Sequence, residues 1–156
     1  MQDRTGTDFG LLIAQALNAY VAHLHRRLGE RGFGDLRPTF GLPLRALSER
    51  PRTLTELARG LGVSKQAAAK IVAELEGRSL IAREPSPDDG RATLLRLSAR
   101  GRALVTAAIE IGNAVERDLA RDLGDEPAAH IRAGLERLAY DPPWAEAAPV
   151  RSGRVW

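Results

Sequence analysis

Between residues 8 and 31 the apolar residues Phe9, Leu12, Ile13, Ala16, Leu17, Tyr20, Val21, Leu24 and Leu28 recur every three or four positions, which draws a stripe along one side of an α-helix. Asp8 is placed to cap that helix, which is predicted to run to about Arg31 and to end at Gly32-Phe33-Gly34. A second helix is predicted from Pro38, a proline at its first position, to about Arg50. Pro43 lies inside it, and an interior proline costs ~3 kcal/mol unless compensated. The helix must therefore kink there or start later than Pro38.

The period then changes twice. Thr53 or Thr55 can cap a short helix through Glu56, Leu57 and Ala58, and Gly60-Leu61-Gly62 supplies a tight turn, since glycine reaches φ > 0 without steric cost. Ser64 can cap the next helix, Lys65 to about Arg78. Two strand-like runs follow, Leu80 to Glu84 and Ala92 to Leu97, joined by the turn-forming loop Pro85-Ser86-Pro87-Asp88-Asp89-Gly90. After Gly101 the helical period returns through Leu104, Val105, Ala108, Ile109, Ile111, Val115 and Leu119 to about Leu123. Gly124 breaks it, and Glu126 to about Tyr140 gives a last helix that Asp141-Pro142-Pro143 stops. The tail, residues 142–156, has no sustained period; it is either disordered or laid across a partner subunit.

Helix, turn, helix and hairpin in that order make a winged helix-turn-helix, whose usual partner is duplex DNA. The fold class is thus mainly α with a small β-hairpin wing: a winged helix-turn-helix domain over 38–101, flanked by long dimerisation helices at 8–37 and 102–141. In the second helix of the motif, Ser64, Ala68, Ile71, Val72 and Leu75 share one arc, at about 100° per residue. Gln66, Ala69, Lys70 and Ala73 occupy the opposite arc, with Lys65 at its margin. Alanines permit close backbone approach to a groove, glutamine can pair bidentately with an adenine edge, and lysine reaches guanine or phosphate. Ser64, Lys65, Gln66, Ala69 and Lys70 are therefore candidate DNA contacts. In isolation such an arc is more often a plain solvated face. The hairpin tips the balance.

Asp89-Gly90-Arg91 opens the second strand of the hairpin, which ends in Leu97-Ser98 with Gly101 three residues on. With the run Leu54-Thr55-Glu56-Leu57-Ala58, this order resembles the MarR family of bacterial transcription regulators over roughly residues 8 to 140. The resemblance implies that Arg91 enters the minor groove at the wing tip with Asp89 bracing its guanidinium. A narrow minor groove concentrates the negative potential that a planar, permanent cation exploits. It also implies a small, often aromatic effector held between the dimer helices and the DNA module, with Tyr20, His23, Phe40 and Leu44 as candidate contacts. For each of these, core packing or plain surface exposure is an equal alternative.

The charge of +3 is unevenly spread: residues 51–102 hold ten Lys and Arg against six Asp and Glu, a mild electrostatic footprint for nucleic acid. Lys65 and Lys70 are the only lysines, arginine supplying every other basic residue. With no cysteine, disulfides, thiolate metal sites and cysteine redox sensing are excluded. No apolar run approaches the roughly 20 residues of a membrane span and no signal peptide is visible, so a cytoplasmic chain without a membrane partner is expected. His23 and His25 are two apart and point to different sides of a helix, His130 stands elsewhere, and no P-loop, Gly-x-Ser-x-Gly, His-Glu-x-x-His or Gly-x-Gly-x-x-Gly run occurs. Neither an enzyme nor a cofactor is expected. The apolar stripes at both ends exceed what the central module can cover, which a homodimer on a palindromic operator would explain better than a monomeric bundle. The alternative function is a winged-helix protein-interaction module without specific DNA binding.

Overall fold

The structure is a computed structural model that describes residues 8–87 and 92–141. The chain divides into two compact units between Pro38 and Thr39. In the first, α1 (Phe9–Glu30) starts where Asp8 accepts the Leu11 N–H on its carboxylate at 3.1 Å. It ends at Gly32, φ +82°, where Gly32 and Phe33 donate back to the Gly29 and Leu28 carbonyls. A left-handed glycine at this place satisfies two carbonyls the helix would otherwise leave open. Leu28 is buried, whereas Phe9, Leu12, Ile13 and Leu17 are exposed.

A 3-10 turn over Pro38–Phe40, which begins at the boundary, leads into α2 (Gly41–Glu49) of the second unit. The later start resolves the Pro43 problem without a kink. Pro43 becomes the third residue of the helix, inside the first turn, where backbone N–H groups have no intrahelical partner to lose. Its ring is buried beside Leu44 and Leu47. Next come α3 (Leu54–Leu61), α4 (Lys65–Gly77), β2 (Ile81–Pro85), β3 (Thr93–Leu97), α5 (Ala99–Leu123) and α6 (Asp125–Tyr140). A two-residue strand β1 (Arg52–Thr53) also pairs with β3, so the expected hairpin is the larger part of a three-stranded antiparallel sheet of order β1-β3-β2. The register sets Ile81 opposite Leu97 and Arg83 opposite Leu95. Ile81, Leu95 and Leu97 turn inward and meet Leu57, Leu61, Ala68, Val72, Leu75 and Leu104 in one core. Each of the leucine, isoleucine and valine side chains contributes about 1.5–3 kcal/mol by leaving water.

Helix α5 begins at Ala99, before Gly101, because Ser98 caps it: the Ser98 hydroxyl accepts the Gly101 N–H at 2.9 Å. Gly101 therefore lies in the first turn, and it is glycine for steric reasons. A Cβ there would stand 1.9 Å from the Leu80 carbonyl oxygen. Alanine's helix propensity favours the replacement by ~1 kcal/mol, but displacing backbone in a packed core costs roughly 1–3 kcal/mol or more. The steric cost wins. Because the 1.9 Å approach is to backbone, the cost falls toward the upper end of that range, so Gly101→Ala is expected to lower stability by about 1–2 kcal/mol, read as an earlier urea midpoint at unchanged slope; an unchanged or later midpoint would contradict the close approach.

Candidate nucleic-acid interface

The site is built on α3 and α4. Thr53 caps α3 in a reciprocal box: Thr53 Oγ1 accepts the Glu56 N–H at 3.2 Å, and Glu56 Oε2 accepts the Thr53 N–H at 2.8 Å. This is the Thr/Ser-x-x-Glu arrangement, which satisfies two helix-terminal donors at once. Arg50 donates to the other Glu56 oxygen at 3.0 Å. These bonds, the Thr53 backbone first and Arg50 next, hold the Glu56 carboxyl well below its usual value, at about 2. Helix α3 runs through Gly60 to Leu61, and Gly62 alone, φ +65°, makes the turn; its N–H and that of Val63 return to the Arg59 and Ala58 carbonyls. Ser64 then caps α4 by accepting the Ala67 N–H at 3.1 Å.

Helix α4 turns Ala68, Val72 and Leu75 into the core, each fully buried, with Ile71 half-buried at the margin. Lys65, Gln66, Lys70 and Ala73 are exposed and Ala69 half-buried between them. The predicted polar arc is thus a single open face. Among the described residues neither Lys65 nor Lys70 is paired with a carboxylate. Several arginines counted in the sequence as positive potential are tied up instead. Arg52 bonds the Ala46 carbonyl and Glu49, Arg83 grips Glu76 through two bonds of 2.8 and 3.2 Å, and Arg96 pairs with Glu84 at 2.9 Å. The Arg83–Glu76 pair joins β2 to the last turn of α4. It was not foreseen, since the residues lie seven apart across a change of element. Asp89 and Arg91, the predicted wing-tip pair, lie outside the described residues. Among the described residues, Ser86 N–H donates to the Ala92 carbonyl at 2.8 Å.

Of the candidate effector contacts, Tyr20 is exposed on α1, and His23 is half-buried there with Nδ1 3.0 Å from the Arg26 guanidinium. Phe40 and Leu44, each 2 % exposed, are core residues of the second unit. The Arg78 guanidinium stands 5.1 Å above the Phe40 ring, within cation–π range. No helix among the described residues is long and apolar enough to cross a membrane.

Comparison with known proteins places this architecture. Residues 44–92 match the model of the MarR family. An HTH-type transcriptional repressor of Mycobacterium tuberculosis is 33 % identical over 99 residues, a span covering 63 % of this chain and 71 % of the relative. The chain belongs to the MarR family. It is a transcriptional regulator of the MarR type, and it also resembles the transcriptional regulator HosA of Escherichia coli, 34 % identical over 85 residues, 53 % of this chain and 63 % of that one. Among solved structures, a probable transcriptional regulator from Pseudomonas aeruginosa is 29 % identical with TM-score 0.64, over 86 % of this chain and 99 % of that one. The repressor CouR, solved bound to a 23-mer DNA duplex, is 27 % identical with TM-score 0.65, over 85 % and 92 %. MarR itself from Escherichia coli, 21 % identical with TM-score 0.62 over 85 % and 98 %, shares the fold.

The Glu56 box gives a test of how the site is held. Its folded pKa lies below the unfolded value, so its contribution is complete above about 4.5 and is lost as pH falls toward about 2. Glu56→Gln removes the charge, and the urea midpoint of the variant should fall less steeply than that of the natural chain between those pH values. Parallel curves would contradict the assignment.

Proposed function

We propose that this MarR-family chain binds duplex DNA sequence-specifically as a homodimer on an inverted repeat, represses transcription there, and is released by a small effector. The observation that carries the proposal is the open face of α4. A capped helix, anchored by three fully buried side chains, turns outward one glutamine, two lysines that pair with no carboxylate among the described residues, exposed Ala73 and half-buried Ala69. In that reading Gln66 reads a base edge, Ala69 permits close approach, and Lys65 and Lys70 reach guanine or phosphate. Ser64 holds the helix start, where N–H groups favour a backbone phosphate, and Arg91, braced by Asp89, supplies the minor-groove contact. Support comes from the DNA-bound state of CouR and from the repressor names of the mycobacterial relatives.

The homodimer is supported by apolar side chains that α1, α5 and α6 leave open, from Phe9 and Leu12 on α1 to Ile109, Leu123, Ile131 and Leu135 on the C-terminal helices. Exposed apolar surface of this extent marks an association surface. For the effector, Tyr20 and His23 offer a ring and an imidazole on α1. Phe40 and Leu44 would take part only if the core opened.

Sequencing the DNA fragments retained by the purified protein would yield the operator. On that operator Gln66→Ala is expected to cost roughly 1–3 kcal/mol and relax base preference, whereas Lys70→Ala should weaken all sequences alike and flatten the salt slope by about one unit. Retention without sequence preference, unmoved by either change, would remove α4 as the reader. Binding indifferent to salt would favour the protein-interaction module.

A further inference from the structure

Ser98 does more than begin α5. Its hydroxyl oxygen accepts the Gly101 N–H at 2.9 Å, which is all that a helix cap requires. The same hydroxyl donates its proton at 2.6 Å to the Ser79 carbonyl, nineteen residues away. Ser98 N–H also donates to the Leu80 carbonyl at 3.0 Å. Ser79 follows α4 directly after its capping residue Arg78. It has φ +57°, the left-handed conformation that L side chains rarely adopt, and its N–H and that of Leu80 return to the Glu76 and Leu75 carbonyls. The carbonyl gripped by Ser98 is therefore the outlet of the exposed-faced helix itself. On the other side of the junction, Gly101 lets the first turn of α5 press against Leu80.

We infer that Ser98 is a positioning residue: its hydroxyl clamps the backbone just past the C-terminus of α4 to the first turn of α5 and so fixes the angle at which the DNA-facing helix stands on the long C-terminal helix. The consequence for DNA rests on the function proposed above, in which two such helices must fit two half-sites together. A hydroxyl is needed because one atom must accept from Gly101 and donate to Ser79. An aspartate at this place can accept as well as serine but has no proton to donate.

The chain has no cysteine, so spin labels can be placed by Ala73→Cys on α4 and Arg117→Cys on α5, both exposed positions. Diluting labelled chains in excess unlabelled protein leaves only distances within one chain. Ser98→Asp keeps the cap acceptor, so helix content should stay near that of the natural chain while the label distance distribution broadens. Ser98→Thr, which keeps donor and acceptor, should leave it narrow. Measured on chains without the labels, operator affinity should fall for the aspartate variant and hold for the threonine variant. A distribution as narrow in Ser98→Asp as in the natural chain would overturn the inference and leave Ser98 a cap, as would broadening in Ser98→Thr. If the natural chain selects no DNA, the proposed function fails, while the distances still judge the clamp.

Discussion

The second unit depends on one corner, where the first turn of α5 lies against the backbone that leaves α4. Leu80 is at its centre. The side chain is buried and the carbonyl accepts the Ser98 N–H, with Gly101 closing on it where no Cβ would fit. Because β2 leaves this corner and β3 returns to it, the inward set of Ile81, Leu95 and Leu97 follows from the same register. A one-residue slip would turn these side chains to solvent. The helix-turn-helix is thereby bonded to the long C-terminal helix by backbone and hydroxyl groups as well as by apolar contact.

Charge is sorted within that frame. Arg50, Arg52, Arg83 and Arg96 each meet a carboxylate, so they brace the module rather than project a field. Pairs this exposed contribute about 0–1 kcal/mol each to stability, and their better use is geometric. Arg83–Glu76, for example, ties the wing strand to the last turn of α4. The two lysines sit on the open face instead, on long flexible stems suited to phosphate or guanine. Net charge over residues 51–102 overstates the potential of the module and says nothing of its placement.

What could be read from the sequence was local. Asp8, Thr53, Glu56 and Ser64 act within three residues of themselves; Asp8 and Ser64 cap as their spacing indicates, and of the two threonines the pattern allowed, Thr53 is the cap. The buried and open arcs of α4 follow from the helical period alone. Pro43 was ambiguous because its cost depends on where the helix begins, which the preceding 3-10 turn decides. Strand β1 is two residues long and exists only through pairing with β3. Ser98 and Gly101 were legible as part of a family pattern, but not for what they do: their partners, Ser79 and Leu80, are brought near by the hairpin. Phe40 and Leu44 show the converse, apolar residues eligible for a pocket by type that packing assigns to the core.

The central claim is that the open face of α4 is presented twice, by two copies of the chain, to one face of DNA. Hydroxyl-radical footprinting of the selected operator, with the mass of the complex measured alongside, tests this most directly. The account predicts two protected windows related by an inverted repeat, with centres about 10–10.5 bp apart or a multiple of that, occupied by a dimer. A single unrepeated window held at full affinity by one chain would contradict it.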